Sequence, residues 1–327
     1  MSTTTLQAPV IEVLQDVSPS GRARPWREKK MANELLSLAY EGVNPHKADR
    51  LRDCATYLSF AVDQSGHKRL EGANLCRVRL CPVCSWRRSL KVHAQMSQII
   101  AAAERRRPYA YVLLTLTVRN VSGDDLSATL DALFRAWNRF AGYSAFKAAV
   151  RGWYRGLEVT HNCNPASPNY GTYHPHFHVL LAVLPSYFTS RDYLSREKWR
   201  AMWQRAARLD YEPQVDVRRV KGNTAAAVAE VAKYAVKDAD YIIPDDWDLT
   251  VDTVRTLDAA LDRRRLVAFG GLFAELHRLL HLDDAEDGDL VHTDDDPVSS
   301  DGVHYLSYAW FTGYRQYIGG SERGIGV

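Results

Sequence analysis

The sequence lacks any apolar run that approaches the roughly 20 residues needed to cross a bilayer. Its N-terminus has neither the basic start nor the apolar stretch of a secretory signal peptide, and internal repeats are absent. These absences argue against a membrane protein and a repeat array, and they predict a cytoplasmic protein with no membrane partner. Hydrophobic residues make up 46% of the 327 residues, so the chain can bury a core and is not disordered as a whole.

Positive charge is missing from one segment. Between His281 and Asp301 there are nine Asp or Glu residues and no Lys or Arg. Setting those nine negative charges aside raises the formal charge of the rest from +3 to +12. A strongly basic remainder of the chain indicates a polyanionic partner that is rich in phosphate groups. The alternative is a soluble protein with one acidic loop. The acidic segment itself is either a solvated loop or a mimic of DNA that limits binding.

Cysteine is scarce, and four of the five cysteines fall within residues 54–84. In a cytosolic chain, clustered cysteines bind metal more often than they form disulfides. Cys76, Cys81 and Cys84 have the spacing of metal ligands, with Cys54 as the fourth ligand and His67 as the second choice. Four thiolates predict a closed, tetrahedral zinc knuckle of structural type, and the alternative is a set of free thiols.

The knuckle leads into a long basic helix that we predict from Trp86 to Arg107. Basic residues held rigidly by a zinc site suit contacts with phosphates. We therefore predict DNA contacts from Arg77, Arg79, Arg87, Arg88 and Lys91.

Between residues 109 and 237 the hydrophobic pattern predicts strand, helix, strand, strand, helix, strand and helix. The predicted strands are Tyr109–Arg119, Gly152–His161, Tyr173–Leu184 and Gln214–Val220, and the helices are Asp125–Lys147, Arg196–Leu209 and Thr224–Lys237. The loop at residues 162–171 is short enough for a hairpin. The expected fold class is α+β, with a central, mostly antiparallel sheet flanked by helices and a small zinc-knuckle module.

Composition divides the chain into four predicted parts. Residues 1–50 are expected to form a partly disordered N-terminal extension, with a short helical piece at Leu35–Tyr40. Residues 51–107 contain the cysteine knuckle and the basic helix. Residues 108–245 form the catalytic domain, and residues 246–327 a C-terminal region that is helical, then acidic, then aromatic.

One predicted strand carries His174, His176 and His178 at alternating positions, so the three imidazoles share a face. Two imidazoles at i and i+2 can reach one metal ion, and burying them without partners would be costly. Glu158, on the preceding strand, would complete a three-ligand site with open positions, which is typical of catalytic metals. Such ligands suit Zn, Mn or Fe, and the alternative is a set of surface or hydrogen-bonded histidines.

The last predicted helix carries Glu230 and Tyr234 at i and i+4, with Lys237 three residues further along the same face. A phenolate can attack phosphorus if a metal polarises the phosphate and a cation stabilises the charge. Lys237 is the candidate cation, and Glu230 is the candidate base for a water molecule in a second, hydrolytic step. Glu and Tyr at this spacing are common, so the helix indicates a catalytic site only in combination with the histidine strand.

Together these motifs resemble the Rep initiators of small bacterial rolling-circle plasmids, which belong to the HUH endonuclease superfamily. The resemblance runs from about residue 50 to the end. It is carried by residues 76–88 (CRVRLCPVCSWRR), 114–117 (LTLT), 157–161 (LEVTH), 174–178 (HPHFH), 230–237 (EVAKYAVK), 269–272 (FGGL) and 289–292 (DLVH).

The resemblance implies an HUH-like catalytic domain with Mg²⁺ or Mn²⁺ at His176 and His178. It implies that plasmid origin DNA is nicked in a single-stranded region of the double-strand origin, that Tyr234 is linked to the 5′ phosphate, and that the freed 3′ hydroxyl primes a host polymerase assisted by a host helicase. Glu230 would assist the closing hydrolysis. For the third metal ligand we favour Glu158 over His174, because a ligand from the neighbouring strand gives better three-point geometry.

Three other functions fit some of these motifs. A conjugative relaxase or a transposase uses the same chemistry, although the cysteine cluster and the tail argue against both. A zinc-dependent DNA-binding regulator would hold a structural ion on the histidine strand and catalyse nothing. A zinc hydrolase would activate water with its metal and use Tyr234 only to support a transition state.

Overall fold

The computed structural model describes residues 12–18, 21–222, 224, 227–229, 232, 240–243, 245–293 and 303–321. The chain is α+β, and its two five-stranded sheets are antiparallel throughout. It divides into two compact units, residues 1–87 with 289–327 and residues 88–288. Within the described residues, no helix is both long and apolar enough to span a membrane.

The first unit is built on a sheet with the strand order β1-β10-β9-β2-β3. Its elements are β1 (Glu12–Val13), α1 (Trp26–Glu41), α2 (Pro45–Asp53), β2 (Tyr57–Val62), β3 (Lys68–Ala73), β9 (His304–Phe311) and β10 (Gln316–Ser321). Strand β9, from the aromatic end of the chain, pairs with β2, so residues far apart in sequence share one sheet. Sequence patterns that extend over neighbouring residues cannot reveal such a pairing.

The prediction that residues 1–50 form a partly disordered extension with one short helical piece is wrong for most of its described residues. Helices α1 and α2 occupy residues 26–41 and 45–53, and α1 buries Trp26, Leu36 and Tyr40. The many charged residues of α1 suggested disorder, yet they lie around a buried stripe that packs within the unit. The Asn44 side chain caps α2 by accepting a hydrogen bond from the Lys47 amide at 3.1 Å.

The second unit carries a sheet that contains the four strands predicted between residues 109 and 220 and adds a fifth, β8, in the order β7-β4-β6-β5-β8. Its elements are the helix α3 (Pro82–Arg106), which begins in the first unit, β4 (Ala110–Thr117), α4 (Gly123–Gly142), α5 (Ser144–Ala149), β5 (Val150–His161), β6 (Tyr173–Val183), a 3₁₀ turn (Pro185–Thr189), α6 (Arg196–Ala207), β7 (Val215–Arg219), α7 (Trp247–Leu261), β8 (Val267–Gly271) and α8 (Leu272–Leu279). The α+β class and the antiparallel sheet flanked by helices are confirmed. The domain division differs: of the predicted C-terminal region 246–327, residues 246–288 belong to the second unit, where β8 joins the sheet, and residues 289–327 join the first.

The region predicted as one helix from Asp125 to Lys147 contains two helices that meet at Tyr143, whose backbone is extended. Helix α4 begins where Ser122 accepts a hydrogen bond from the Asp125 amide at 3.2 Å. Its buried stripe, which includes Leu126, Leu130 and Leu133, follows the helical period.

The two faces of this sheet bury different residues because neighbouring residues of a strand point to opposite sides. On β6, Phe177 packs with Phe134 and Trp137 of α4. Leu180 lies on the other face, together with its cross-strand partner Tyr154 of β5. Both belong to a buried cluster that also contains Met96 of α3 and three residues of the predicted helix Thr224–Lys237, namely Ala227, Val228 and Ala232. His176 and His178 lie four and two residues before Leu180 on the same strand, so they share this face.

Candidate metal centres

Glu158, His176 and His178 form a compact cluster on two paired strands. In the register of β5 and β6, Glu158 lies directly opposite His176, and Gly156 lies opposite His178. Glu158 Oε2 is 2.9 Å from His178 Nε2 and 3.7 Å from His176 Nε2, and the two Nε2 atoms are 3.1 Å apart. One donor atom from each residue can be chosen so that all lie within 4.8 Å of one another. A carboxylate and two imidazoles at this separation fit one divalent ion.

The Nδ1 nitrogen of each imidazole, which faces away from the cluster, has a partner that fixes the orientation of the ring. His176 Nδ1 is 3.0 Å from the carbonyl oxygen of His174, and His178 Nδ1 is 3.4 Å from the hydroxyl of Thr115 on β4. A ring that donates through Nδ1 leaves the lone pair of Nε2 free for a metal. Thr115 lies opposite His178 in the strand register, but its role was missed because cross-strand neighbours are not adjacent in sequence.

His174 lies beside this cluster, but it is not in the group of potential ligands. Its ring stacks on that of His176, with the centroids 5.1 Å apart. Burial lowers the pKa of His174, and the neighbouring His176 adds to this effect. The arrangement favours Glu158 as third donor and gives His174 a supporting position through its backbone carbonyl.

The four clustered cysteines form a second, closed group. Cys54, Cys76, Cys81 and Cys84 are all buried, and their sulfur atoms lie within 4.8 Å of one another. The Sγ atom of Cys54 is 3.6 Å from that of Cys81 and 3.7 Å from that of Cys84. His67, the alternative ligand, is outside the group and donates its backbone amide to Asp63 in the turn between β2 and β3.

Backbone amides are directed at the sulfur atoms of this group. The amide of Cys76 is 3.4 Å from Cys54 Sγ, and that of Arg77 is 3.3 Å from Cys84 Sγ. Arg77 reaches this position with a left-handed backbone, φ 59°. Burial raises the pKa of the Cys81 thiol well above its usual value, which disfavours a thiolate that lacks a compensating cation. Four converging sulfurs with amide donors fit a tetrahedral divalent ion such as Zn²⁺.

The fifth cysteine, Cys163, follows β5. Its Sγ is 3.1 Å from His161 Nδ1, and burial raises the pKa of its thiol. It lies outside both metal-ligand groups.

Three of the five predicted DNA contacts are buried and have internal partners, so that part of the prediction is wrong. Arg87, Arg88 and Lys91 expose only 2%, 3% and 4% of their surface. Arg87 donates to the carbonyl oxygen of Leu290 at 2.9 Å, and Arg88 donates to that of Glu286 at 3.2 Å. The sequence showed the charges of this basic run but not the chain that covers them. Arg77 is exposed, and Arg79 is half-buried.

The described part of the acidic segment is docked within the protein and is not a solvated loop. Asp283 forms an ion pair with Lys91 at 2.5 Å, and the Glu286 carboxylate accepts the amides of Leu266 and Val267 at 2.6 and 2.7 Å. Carboxylates that accept backbone amides form some of the stronger hydrogen bonds in proteins. Acidic side chains here therefore fasten the chain beside α3 and β8.

The predicted catalytic residues Tyr234, Glu230 and Lys237 lie outside the described residues. Ala227, Val228 and Ala232, from the same predicted helix, are buried, as the Ala- and Val-rich sequence suggests.

Fold and clusters together define a class: an α+β protein with two groups of side chains suited to divalent metal ions, one open and one closed. The chain belongs to the replication protein family, whose model matches residues 67–318. It is 38% identical to a Rep protein of Bacillus amyloliquefaciens, over 94% of this chain and 97% of that relative. It is 37% identical to a Rep protein of Lentilactobacillus hilgardii (89% and 93%) and 36% identical to one of Streptococcus pneumoniae (87% and 88%). No solved structure gives a significant match.

Proposed function

We propose that this protein initiates plasmid replication by nicking one DNA strand at the origin, with an HUH-type site in the second unit. The observation that carries the proposal is the convergence of Glu158, His176 and His178 on two paired strands. Membership of the replication protein family supports origin DNA as the substrate and argues against a relaxase or a transposase.

The cluster has the ligand number of an open site. Three protein donors leave coordination positions for a phosphate oxygen, whereas four would close a tetrahedral site. A divalent ion held here, which we propose to be Mg²⁺ or Mn²⁺, supplies positive charge that polarises the scissile phosphate. Hydrogen bonds from the two Nδ1 positions keep both imidazoles oriented towards that ion.

Tyr234 is the proposed nucleophile, and the packing of the described residues that precede it in sequence supports this role. Ala227, Val228 and Ala232 pack in one cluster with Tyr154 and Leu180. Those two strand residues share the sheet face of His176 and His178, and Ala232 is two residues from Tyr234 in sequence. Ala227, Val228 and Ala232, which precede Tyr234 in sequence, therefore pack on the face that carries the candidate metal ligands.

In the proposed step the phenolic oxygen of Tyr234 loses its proton and forms a bond to phosphorus. The bond between phosphorus and the 3′ oxygen breaks, and that oxygen takes up a proton to become the 3′ hydroxyl primer. The 5′ phosphate stays linked to the tyrosine. Lys237 would stabilise charge on the phosphate, and Glu230 would activate water to release the phosphotyrosine. A host polymerase would extend the primer, with a host helicase opening the duplex.

The test incubates the purified full chain with Mn²⁺ and a single-stranded oligonucleotide from its own origin, followed by denaturing protein electrophoresis. We expect a covalent protein–DNA adduct that is lost in Tyr234→Phe and retained in Tyr170→Phe, a matched change at an exposed tyrosine in the loop after β5. His178→Ala should lose both Mn²⁺ binding and the adduct while DNA binding remains, because the imidazole is a proposed ligand.

Other results would select another function. Tight, sequence-specific binding of duplex DNA without an adduct would favour a non-catalytic regulator. Cleavage that survives Tyr234→Phe would indicate metal-activated water, as in a zinc hydrolase. Loss of DNA binding in His178→Ala would contradict the separation of catalysis from recognition.

A further inference from the structure

A buried lysine lies beside the four-cysteine group. Lys30 of α1 exposes 1% of its surface, and its ammonium group donates to the carbonyl oxygens of Cys54 at 2.7 Å and Arg52 at 3.0 Å. Lysine is almost never fully buried without a partner of opposite charge. Within the described part of the chain, no carboxylate lies within ion-pair distance of Lys30.

A structural role explains only part of this arrangement. The two acceptor carbonyls lie at the C-terminal end of α2, where a helix presents roughly half a negative charge. Capping that end accounts for the hydrogen bonds of Lys30. It leaves about half of a buried positive charge to be balanced by groups beyond ion-pair distance, among them the Glu34 carboxylate on the same helix.

Four thiolates around a divalent ion carry a net charge of about −2 in an equally buried space. Since Lys30 donates to the backbone of one proposed ligand, Cys54, that charge and its own lie close together. Opposite charges attract strongly where water is excluded, and each removes part of the desolvation cost of the other.

We propose that Lys30 is the counter-cation of a metal tetrathiolate, which stabilises Cys54, Cys76, Cys81 and Cys84 as thiolates around Zn²⁺. Asn33, one turn further along α1, belongs to the same support. Its side-chain amide donates to the Leu51 carbonyl at 2.6 Å, and its oxygen is 3.1 Å from Cys81 Sγ. The metal site thus extends to the segment before the cysteines, and its charge balance depends on α1.

The experiment measures how fast zinc leaves the full-length protein for an excess of a chromogenic chelator. Lys30→Met removes the charge and the hydrogen bonds, Lys30→Gln keeps an amide donor without the charge, and Lys30→Arg keeps the charge. We expect zinc release to become at least about tenfold faster in the Met and Gln variants, the usual scale for groups that support metal ligands. The Arg variant should stay close to wild type.

Leu36→Ala is the matched packing control, because Leu36 is fully buried on the same helix and uncharged. It should lower the melting temperature without the same acceleration of zinc release. The absorption of the Co²⁺-substituted protein gives a second readout, since thiolate-to-cobalt charge transfer should weaken in Lys30→Gln.

Three results would overturn the proposal. Zinc release from Lys30→Gln at the wild-type rate would show that hydrogen bonding alone matters. Equal acceleration by Leu36→Ala would assign the effect to packing. A wild-type chain purified without metal in the cysteine group would remove its basis. Should Lys30→Met fail to fold, the Gln and Arg variants still decide the question.

Discussion

The two candidate metal centres differ in how far the protein encloses them. The cysteine group has four like donors, all of them buried, with backbone amides directed at their sulfurs. The Glu158 group has three mixed donors, and its His178 side chain remains 18% exposed. A saturated, enclosed site can only hold the chain together, whereas an unsaturated site with an exposed ligand can admit a substrate oxygen.

The supporting contacts differ in the same way. Around the cysteines they come from the backbone amides of Cys76 and Arg77 and from α1, so we expect metal binding and the fold of the first unit to depend on each other. Around the histidines they come from the sheet itself, where Thr115 and the His174 carbonyl orient rings that the strands already place. We therefore expect loss of the first site to affect stability most and loss of the second to affect chemistry most.

The largest effect is expected from Cys81→Ser. A structural zinc site contributes about 10–16 kcal/mol of apparent binding free energy in small zinc domains, and a missing ligand forfeits part of it. We expect the free energy of unfolding of the first unit to fall by at least about 3 kcal/mol, together with loss of bound zinc. Chemical denaturation and metal analysis would measure both.

Cys163→Ser is the control for that change, because Cys163 lies in the second unit and outside the cysteine group. It should leave the zinc content unchanged. If Cys81→Ser kept its zinc and its stability, the four cysteines would not act as a closed site, and the comparison between the two centres would fail.

The same contrast explains which parts were predictable from sequence. The candidate ligands are signalled by spacing: alternate histidines on a strand, and cysteines with two and four residues between them. Helix α4 and the strands β4 and β6 follow from hydrophobic period. Thr115, Lys30 and Asn33 gave no signal, because each acts across a strand register or a helix packing that brings distant residues together.

The wrong DNA contacts have the same cause. A run of basic residues usually indicates a surface, yet Arg87 and Arg88 are covered by carbonyl oxygens from residues about 200 positions later in the chain. The sequence contains both partners, but their pairing is a tertiary property. The first unit shows this most fully, since strands β9 and β10 close a sheet begun by residues 12–73.

A smaller effect is expected from Thr115→Val, which sharpens the comparison at the open site. Valine keeps the shape of threonine but cannot accept the hydrogen bond from His178 Nδ1. Groups that orient metal ligands typically contribute a factor of about 10–100 to metal affinity, so Mn²⁺ binding should weaken by about tenfold with little change in stability. Isothermal titration calorimetry would measure it.

Thr117→Val provides the matched control on the same strand and the same sheet face. Its hydroxyl donates to the Gln214 carbonyl at 2.9 Å and not to an imidazole. Metal affinity should therefore stay near wild type. Equal weakening in both variants would mean that the strand as a whole, and not the bond to His178, positions the ligand.

The smallest effect concerns His161, a histidine on β5 that lies outside the open site. Its ring stacks on Tyr173 with centroids 4.5 Å apart and is 3.3 Å from the Thr253 hydroxyl. Burial lowers its pKa, so the folded protein keeps it neutral where the unfolded chain would already take up a proton. Its contribution to stability is complete above pH 6.5, the usual value, and is lost as the pH falls through the folded pKa.

Unfolding measured between pH 7.5 and 5 should therefore show a smaller decline in stability for His161→Phe than for the wild type. His174 and His277 have pKa values lowered by burial as well, so part of the decline should remain in the variant. Phenylalanine keeps an aromatic ring against Tyr173 and removes only the titrating group and its hydrogen bonds. An identical slope in both proteins would show that His161 is protonated in the folded state as readily as in the unfolded chain. The burial of His161 at the end of β5 would then have no effect on its protonation, and the contrast between enclosed and accessible groups would not extend to this histidine.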